Sequence, residues 1–410
     1  MKVYLVHHAD ALPKEKDPQR HISAMGRDQA DRVGTRLKTL GAAPVRILHS
    51  DKQWTIDTAI HVAAKLGASD KVAQTAYPIN TGDPIAPFMA DIAASKAREW
   101  FDREGVDMLI GGTNSGAALS MAKVSAEKKR PFISIGAGTA VLTNEECSPY
   151  TLHYAYDTVA LAKGTGAAVV KQGGKSWYFL TADYAFGAAL ESDTAKVVKA
   201  NGGTVSGTVK HPLSASDFSS FLLQAQASKA QILGLANAGG DTINAVKAAN
   251  EFGVTKTMKL AGLLMFINDI HSLGLNATQG MYLTDSWYWN QTPEARAWAR
   301  RYFEKMKKMP SSLQAADYSA TMQYLNAVKA AGSDDPEKVM AKLRSMKFKD
   351  FYIRDGYLRA DGSVIKDMYL MQVKPQSESK EPWDYYKVIQ TIPGEQAFTT
   401  KAESKCSLWK

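Results

Sequence analysis

The chain has 410 residues, of which 45% are hydrophobic and 22% charged, with 15 prolines and a formal charge of +9. These proportions exclude a disordered chain and a disulfide-dense mini-fold, and the length calls for two or three lobes. No apolar run reaches the roughly 18 residues of a membrane span, so no membrane insertion is expected, and lysines scattered among acids argue against a nucleic-acid partner.

The apolar stretch of MKVYLVHHAD is short and is interrupted by His7 and His8. It does not read as a signal peptide, so the chain as written is expected to carry no export address and to stay cytoplasmic if expressed in that form. Residues 2–6 read as a short buried strand. Ser23 is placed to cap a helix running to about Leu40, 45–49 reads as a second strand, and Thr55 to Leu66 reads as a helix stopped by Gly67. Pro78, Pro84 and Pro87 mark a loop.

From about residue 90 the grammar continues in longer units. Strands are expected at 107–110, 131–135, 151–156, 176–182, 204–210, 230–236, 258–264 and 280–287. Helices alternate with them, and three more are expected at 293–307, 312–331 and 336–346. Hairpins and a docked tail are expected in 352–373 and 383–391. Strands alternating with helices imply parallel, doubly wound sheets, and two such lobes enclose a crevice.

Ligands of open α/β sheets sit beyond the carboxyl ends of the strands. Four small polar turns fall there: Gly111 to Ser115, Gly136 to Thr139, Asp183 to Gly187, and Ala236 to Asp241. Free N–H groups at such turns suit a carboxylate, although helix capping alone also explains each turn. Tyr154, Tyr156, Tyr184 and Phe266 fall at strand ends, and Trp287-Tyr288-Trp289 follows a strand. These rings suit either an apolar slot or core and hinge packing. Gly173-Gly174-Lys175-Ser176 lacks the first glycine of a phosphate loop, Val169 standing in its place, and Gly164-Thr165-Gly166 fits close helix packing better than a nucleotide fingerprint. No catalytic constellation, metal cluster or cofactor motif is found from residue 90 onward. Binding is therefore favoured over catalysis, with no metal and no cofactor.

The runs GGTNSGAALSMAKVSAEKKRPFISIGAG, YFLTADYAFG, GLANAGGDT and IPGEQAFTTKAESKCSLWK resemble the leucine/isoleucine/valine-type (type I) solute-binding proteins of ABC importers over about 90–410. The likeness is nearest to the subgroup that captures aromatic acids such as p-coumarate. It implies two lobes joined by three crossovers, and a periplasmic monomer that delivers a small carboxylate (an aromatic acid or a branched-chain-type amino acid) to an ABC-type permease. The implied lobes are 91–156 with 286–335, and 157–285 with 336–391, followed by a docked tail at 392–410. The implied ligand residues are Asn114, Ser115, Ala137, Gly138 and Thr139 in the first lobe, Tyr156 at a strand end, and Tyr184, Asn237, Asp241 and Phe266 from the second.

Residues 1–90 instead resemble the first half of a SixA-type phosphohistidine phosphatase, through YLVHHADALPKEKDP, SAMGRDQADRV and NTGDPIAP. His8 occupies the nucleophile position, but Ala9 replaces the expected glycine and Trp54 an expected arginine. Without cations around the phosphate, activity is not expected. The junction near Met89 falls inside a predicted helix, as in a chimera, and 1–90 is expected to begin the first lobe. The rival readings are that phosphatase and a ligand sensor. Cys147 and Cys406 are expected to pair if the chain meets an oxidising compartment, the alternative being two free thiols.

Overall fold

The computed structural model describes residues 6, 9–75 and 86–410; the expected strand at 2–6, except Val6, and the pair His7–His8 lie outside them. The chain forms two compact units, Met1–Phe88 and Met89–Lys410. One continuous helix, Ala86–Arg103, runs through that boundary.

In the first unit, helices Ala24–Thr39 and Gln53–Leu66 accompany a parallel strand pair, Ile47–His49 with Val72–Gln74. Ser23 caps the first helix by accepting from the Gly26 amide, and Gly67 ends the second in the left-handed conformation that glycine tolerates. Trp54 lies under the Arg20 guanidinium, 4.7 Å from ring centre to Cζ.

The second unit holds two parallel sheets. The first orders Leu109–Gly111, Phe132–Ser134 and Thr151–His153. The second runs Thr204–His211, Ser176–Ala182, Ile232–Ala236, Lys259–Gly262. The buried apolar character of 232–236 follows from cover on both faces of a parallel sheet.

Two expectations need correction. The strand expected at 280–287 does not extend the parallel alternation: Tyr282–Asp285 pairs antiparallel with Met368–Val373, which pairs with Tyr386–Ile392. Its neighbour arrives from far along the chain, after three helices and three short strands and not through a single strand–helix–strand crossover, so nothing imposes parallel direction. The segment from 336 also does not begin the second lobe. Helix Pro336–Ser345 packs on Ser312–Ala331, Glu337 and Arg344 bond to Tyr150 and Pro149, and Ser363 bridges to His153 beside the first sheet. The chain leaves that side only at about Lys366.

Gly164 sits in a π-helical turn, where an added Cβ would lie 2.1 Å from Thr284 Oγ1. That glycine serves close packing.

Candidate functional site

Gly111 and Gly112 end the first strand with φ of +118° and +78°, a path open to glycine, and turn the chain into helix Ser115–Lys128. Asn114 caps this helix, its Oδ1 accepting from Ala117 N at 3.1 Å and its carbonyl from Ala118 N. The amides of Ser115 and Gly116 are left without a protein acceptor among the described residues. Ser115 Oγ, fully buried, accepts from Thr139 N at 3.3 Å and ties this turn to the next.

In the turn 136–139, three successive carbonyls are held by residues of the segment 153–158. Tyr156 Oη donates to Gly136 O at 2.9 Å, His153 Nε2 lies 2.6 Å from Ala137 O, and Thr158 N donates to Gly138 O at 2.8 Å. The amides of Ala137 and Gly138 have no acceptor among the described residues. Engaged carbonyls beside unpaired amides leave a backbone with N–H groups free to donate to an anion.

The second lobe faces this turn with rings. A Cβ on Gly138 would lie 2.7 Å from Phe186 Cε2 and 3.2 Å from Tyr156 Cε2, so the two lobes touch here. Tyr184 lies 5.9 Å from Phe186, and Phe266 lies 6.1 Å from Tyr156, between ring centres. Burial first, and then the Asp241 charge, push the Tyr184 phenol up to about 12. Asp241, in the first turn of helix Gly240–Glu251, is buried. Its Oδ2 accepts from Ser214 N at 3.1 Å, and no cation pairs with it among the described residues.

The profile of the family described as "Periplasmic binding protein" matches residues 87–380. The chain belongs to the periplasmic binding protein family. A periplasmic binding protein from Burkholderia mallei is 62% identical, with 98% of this chain and 97% of that chain covered and a TM-score of 0.78. A branched chain amino acid ABC transporter periplasmic ligand-binding protein from Burkholderia xenovorans is 35% identical, with 93% and 95% covered and a TM-score of 0.70. A solute-binding protein of an ABC transporter from R. palustris, in complex with benzoate, is 18% identical over 93% and 95% with a TM-score of 0.69, a likeness of fold. The comparison with curated proteins finds no match. None of these matches is to a phosphatase. The periplasmic binding protein is thus a non-enzymatic transport receptor, the solute-binding component of an ABC transporter, with the two-lobed type I fold.

The structure brings Gly138, Tyr156, Tyr184 and Phe266 together, with Ser115 and Thr139 behind them. It corrects two expectations. Asn237 is fully buried, its amide spent on His211 Nε2 at 3.1 Å and Thr242 Oγ1 at 2.7 Å, so its side chain braces the second lobe. The Asn114 side chain is likewise taken by its helix cap. Of the other rings, Trp287 donates to Phe351 O, Trp289 and Tyr288 donate to Trp383 O, and Tyr154 stacks on Phe348 and Tyr352; all four are packing. Sequence reasoning missed His153, Phe186 and Thr158. Only Phe186 left a trace, inside the DYAFG turn.

Charged groups sit beside the passages between sheets. Asp157 caps a helix through Ala160 N, and burial pushes its carboxyl up to about 7, as it does that of Asp285. Lys366 Nζ donates to Tyr154 O at 2.7 Å, and burial pushes this amine down to about 7 against the pull of Asp157 and Asp285. A disulfide joins Cys147 to Cys406. Lys163 grips Phe398 O and Glu403, so the tail 398–406 is held at both Lys163 and Cys147.

Proposed function

We propose that this periplasmic binding protein captures a small solute that carries a carboxylate, an apolar body and a hydrogen-bond donor, and closes two lobes around it for import. The observation that carries the reading is the turn 136–139, whose carbonyls are all engaged while the amides of Ala137 and Gly138 are unpaired. With the Ser115 and Gly116 amides, it supplies charge-assisted bonds to an anion without a counter-ion. Tyr156, Tyr184, Phe186 and Phe266 supply the apolar walls. Three passages join the lobes in this reading, at about 154–157, 285–287 and 366–367.

Asp241 receives the donor of the solute. A buried carboxylate lacking a cation among the described residues repels a second anion and favours a donor, best an ammonium. An α-amino acid with an apolar side chain supplies all three parts, its ammonium on the carbon that bears the carboxylate and its side chain against the rings, and the name of the Burkholderia xenovorans relative agrees with that class. The four rings favour a second reading, an aromatic acid whose phenolic hydroxyl donates to Asp241. A thermal-shift screen with leucine, isoleucine, valine, phenylalanine, 4-hydroxybenzoate and p-coumarate tests the proposal. Stabilisation by leucine, lost by about 100-fold in affinity in Asp241→Asn, supports the amino-acid reading. Binding of the phenolic acids that survives Asp241→Asn supports the second. No shift with any of the six rejects both.

A further inference from the structure

We infer that His153 is a positioning residue for solute capture: through the Ala137 carbonyl it aims the Gly138 amide into the ligand turn. The inference rests on the proposed function, but its geometry stands apart from any solute. His153 closes strand Thr151–His153 and is 3% exposed. Its Nε2 lies 2.6 Å from Ala137 O, and a carbonyl only accepts, so Nε2 carries the proton. Nδ1 is buried without a partner among the described residues, which fits the neutral Nε2–H tautomer. The Ala137 carbonyl and the Gly138 N–H belong to one planar trans peptide and point in opposite directions. Holding the oxygen toward His153 therefore sends the N–H away from it, and that N–H has no protein acceptor among the described residues.

The imidazole itself is fixed from behind. His153 N donates to Gly362 O at 2.8 Å, and the residue pairs in register with Ser134 on one side and Ser363 on the other. The hydroxyls of Ser134 and Ser363 are buried and unpartnered among the described residues, like Nδ1. Three such groups at neighbouring register positions are a cost to folding. The one strong bond of the imidazole, to Ala137 O, is what it supplies in return, and that bond orients the peptide.

The test compares two amides of different reach in the full-length protein. His153→Gln can place its Nε2 near the imidazole Nε2, whereas His153→Asn falls short of Ala137 O. The probe is whichever of the six solutes above stabilises the wild type most, titrated by calorimetry, with urea midpoints measured alongside. The expected result is that His153→Gln binds within about threefold of wild type. His153→Asn should bind about tenfold or more weakly, the consequence of one misdirected bond to a charged group, with urea midpoints of the two variants alike. Equal affinity of the two variants would overturn the inference. So would a 15N spectrum of the wild type placing the proton on Nδ1. If no solute binds the wild type, the functional reading fails, and the tautomer alone then decides whether His153 holds the turn.

Discussion

Replacing Gly138 by alanine probes the contact between the lobes with a single methyl group. The glycine does not adopt a left-handed φ, so alanine meets no backbone penalty. The added Cβ would lie 2.7 Å from Phe186 Cε2, 3.0 Å from its Cδ2 and 3.2 Å from Tyr156 Cε2. Ordinary carbon contacts lie at about 3.5–4.0 Å, so Phe186 must retreat by about 1 Å. Both rings are 2% exposed and have no free volume to enter, so relief comes by parting the second lobe from the first. Overpacking of this kind costs about 1–3 kcal/mol. If it falls on the closed state alone, solute affinity drops by about 5- to 150-fold, while the urea midpoint without solute barely moves. Calorimetric titration gives the affinity, and small-angle scattering with saturating solute gives the degree of closure, which the variant should lose. Binding within twofold of wild type, or a loss of unliganded stability equal to the loss of binding energy, would refute the reasoning.

Three further outcomes are expected. Cys147→Ser/Cys406→Ser opens a link across 259 residues. Chain entropy sets a ceiling of about 5–6 kcal/mol for that loop, and about 2–4 kcal/mol is expected, read as a lower urea midpoint that reductant reproduces in the wild type only. Gly164→Ala drives a Cβ to 2.1 Å from Thr284 Oγ1, and a loss at or above the upper end of about 1–3 kcal/mol should appear in urea melts. The Asp157 carboxyl is raised to about 7 in the folded protein from an ordinary 3.8. Its stabilising contribution is complete below the unfolded value and is lost as pH rises through about 7. The stability of the wild type relative to Asp157→Asn, which keeps the cap to Ala160, should therefore fall between pH 4 and pH 7. A flat difference would place the carboxyl in water.

Much of the architecture was legible in the residues. The alternation of apolar strands with amphipathic helices located 176–182 and 312–331 to the residue, because an unbroken short apolar run and a period of 3.6 are local properties. Ser23 and Gly67 announced their caps for the same reason. The four polar turns at strand ends, and the family they resemble, followed from chemistry carried within a few neighbouring residues. What failed was whatever depended on a distant partner. Tyr282–Asp285 could be read as a strand, but its antiparallel direction was set by Met368–Val373. Asn237 looked free until packing gave it His211 and Thr242.

The amino-acid sequence alone therefore determined the class of the protein, the order of its elements and the small polar turns at the strand ends, since backbone propensity and periodicity act over a few residues. Only the tertiary structure decided which amides remain unpaired, that His153 grips Ala137 from 16 residues away, and that the tail returns across 259 residues to Cys147. Hydrogen-bond satisfaction and close packing are properties of the folded whole, in which most buried polar groups find a partner wherever the chain happens to bring one.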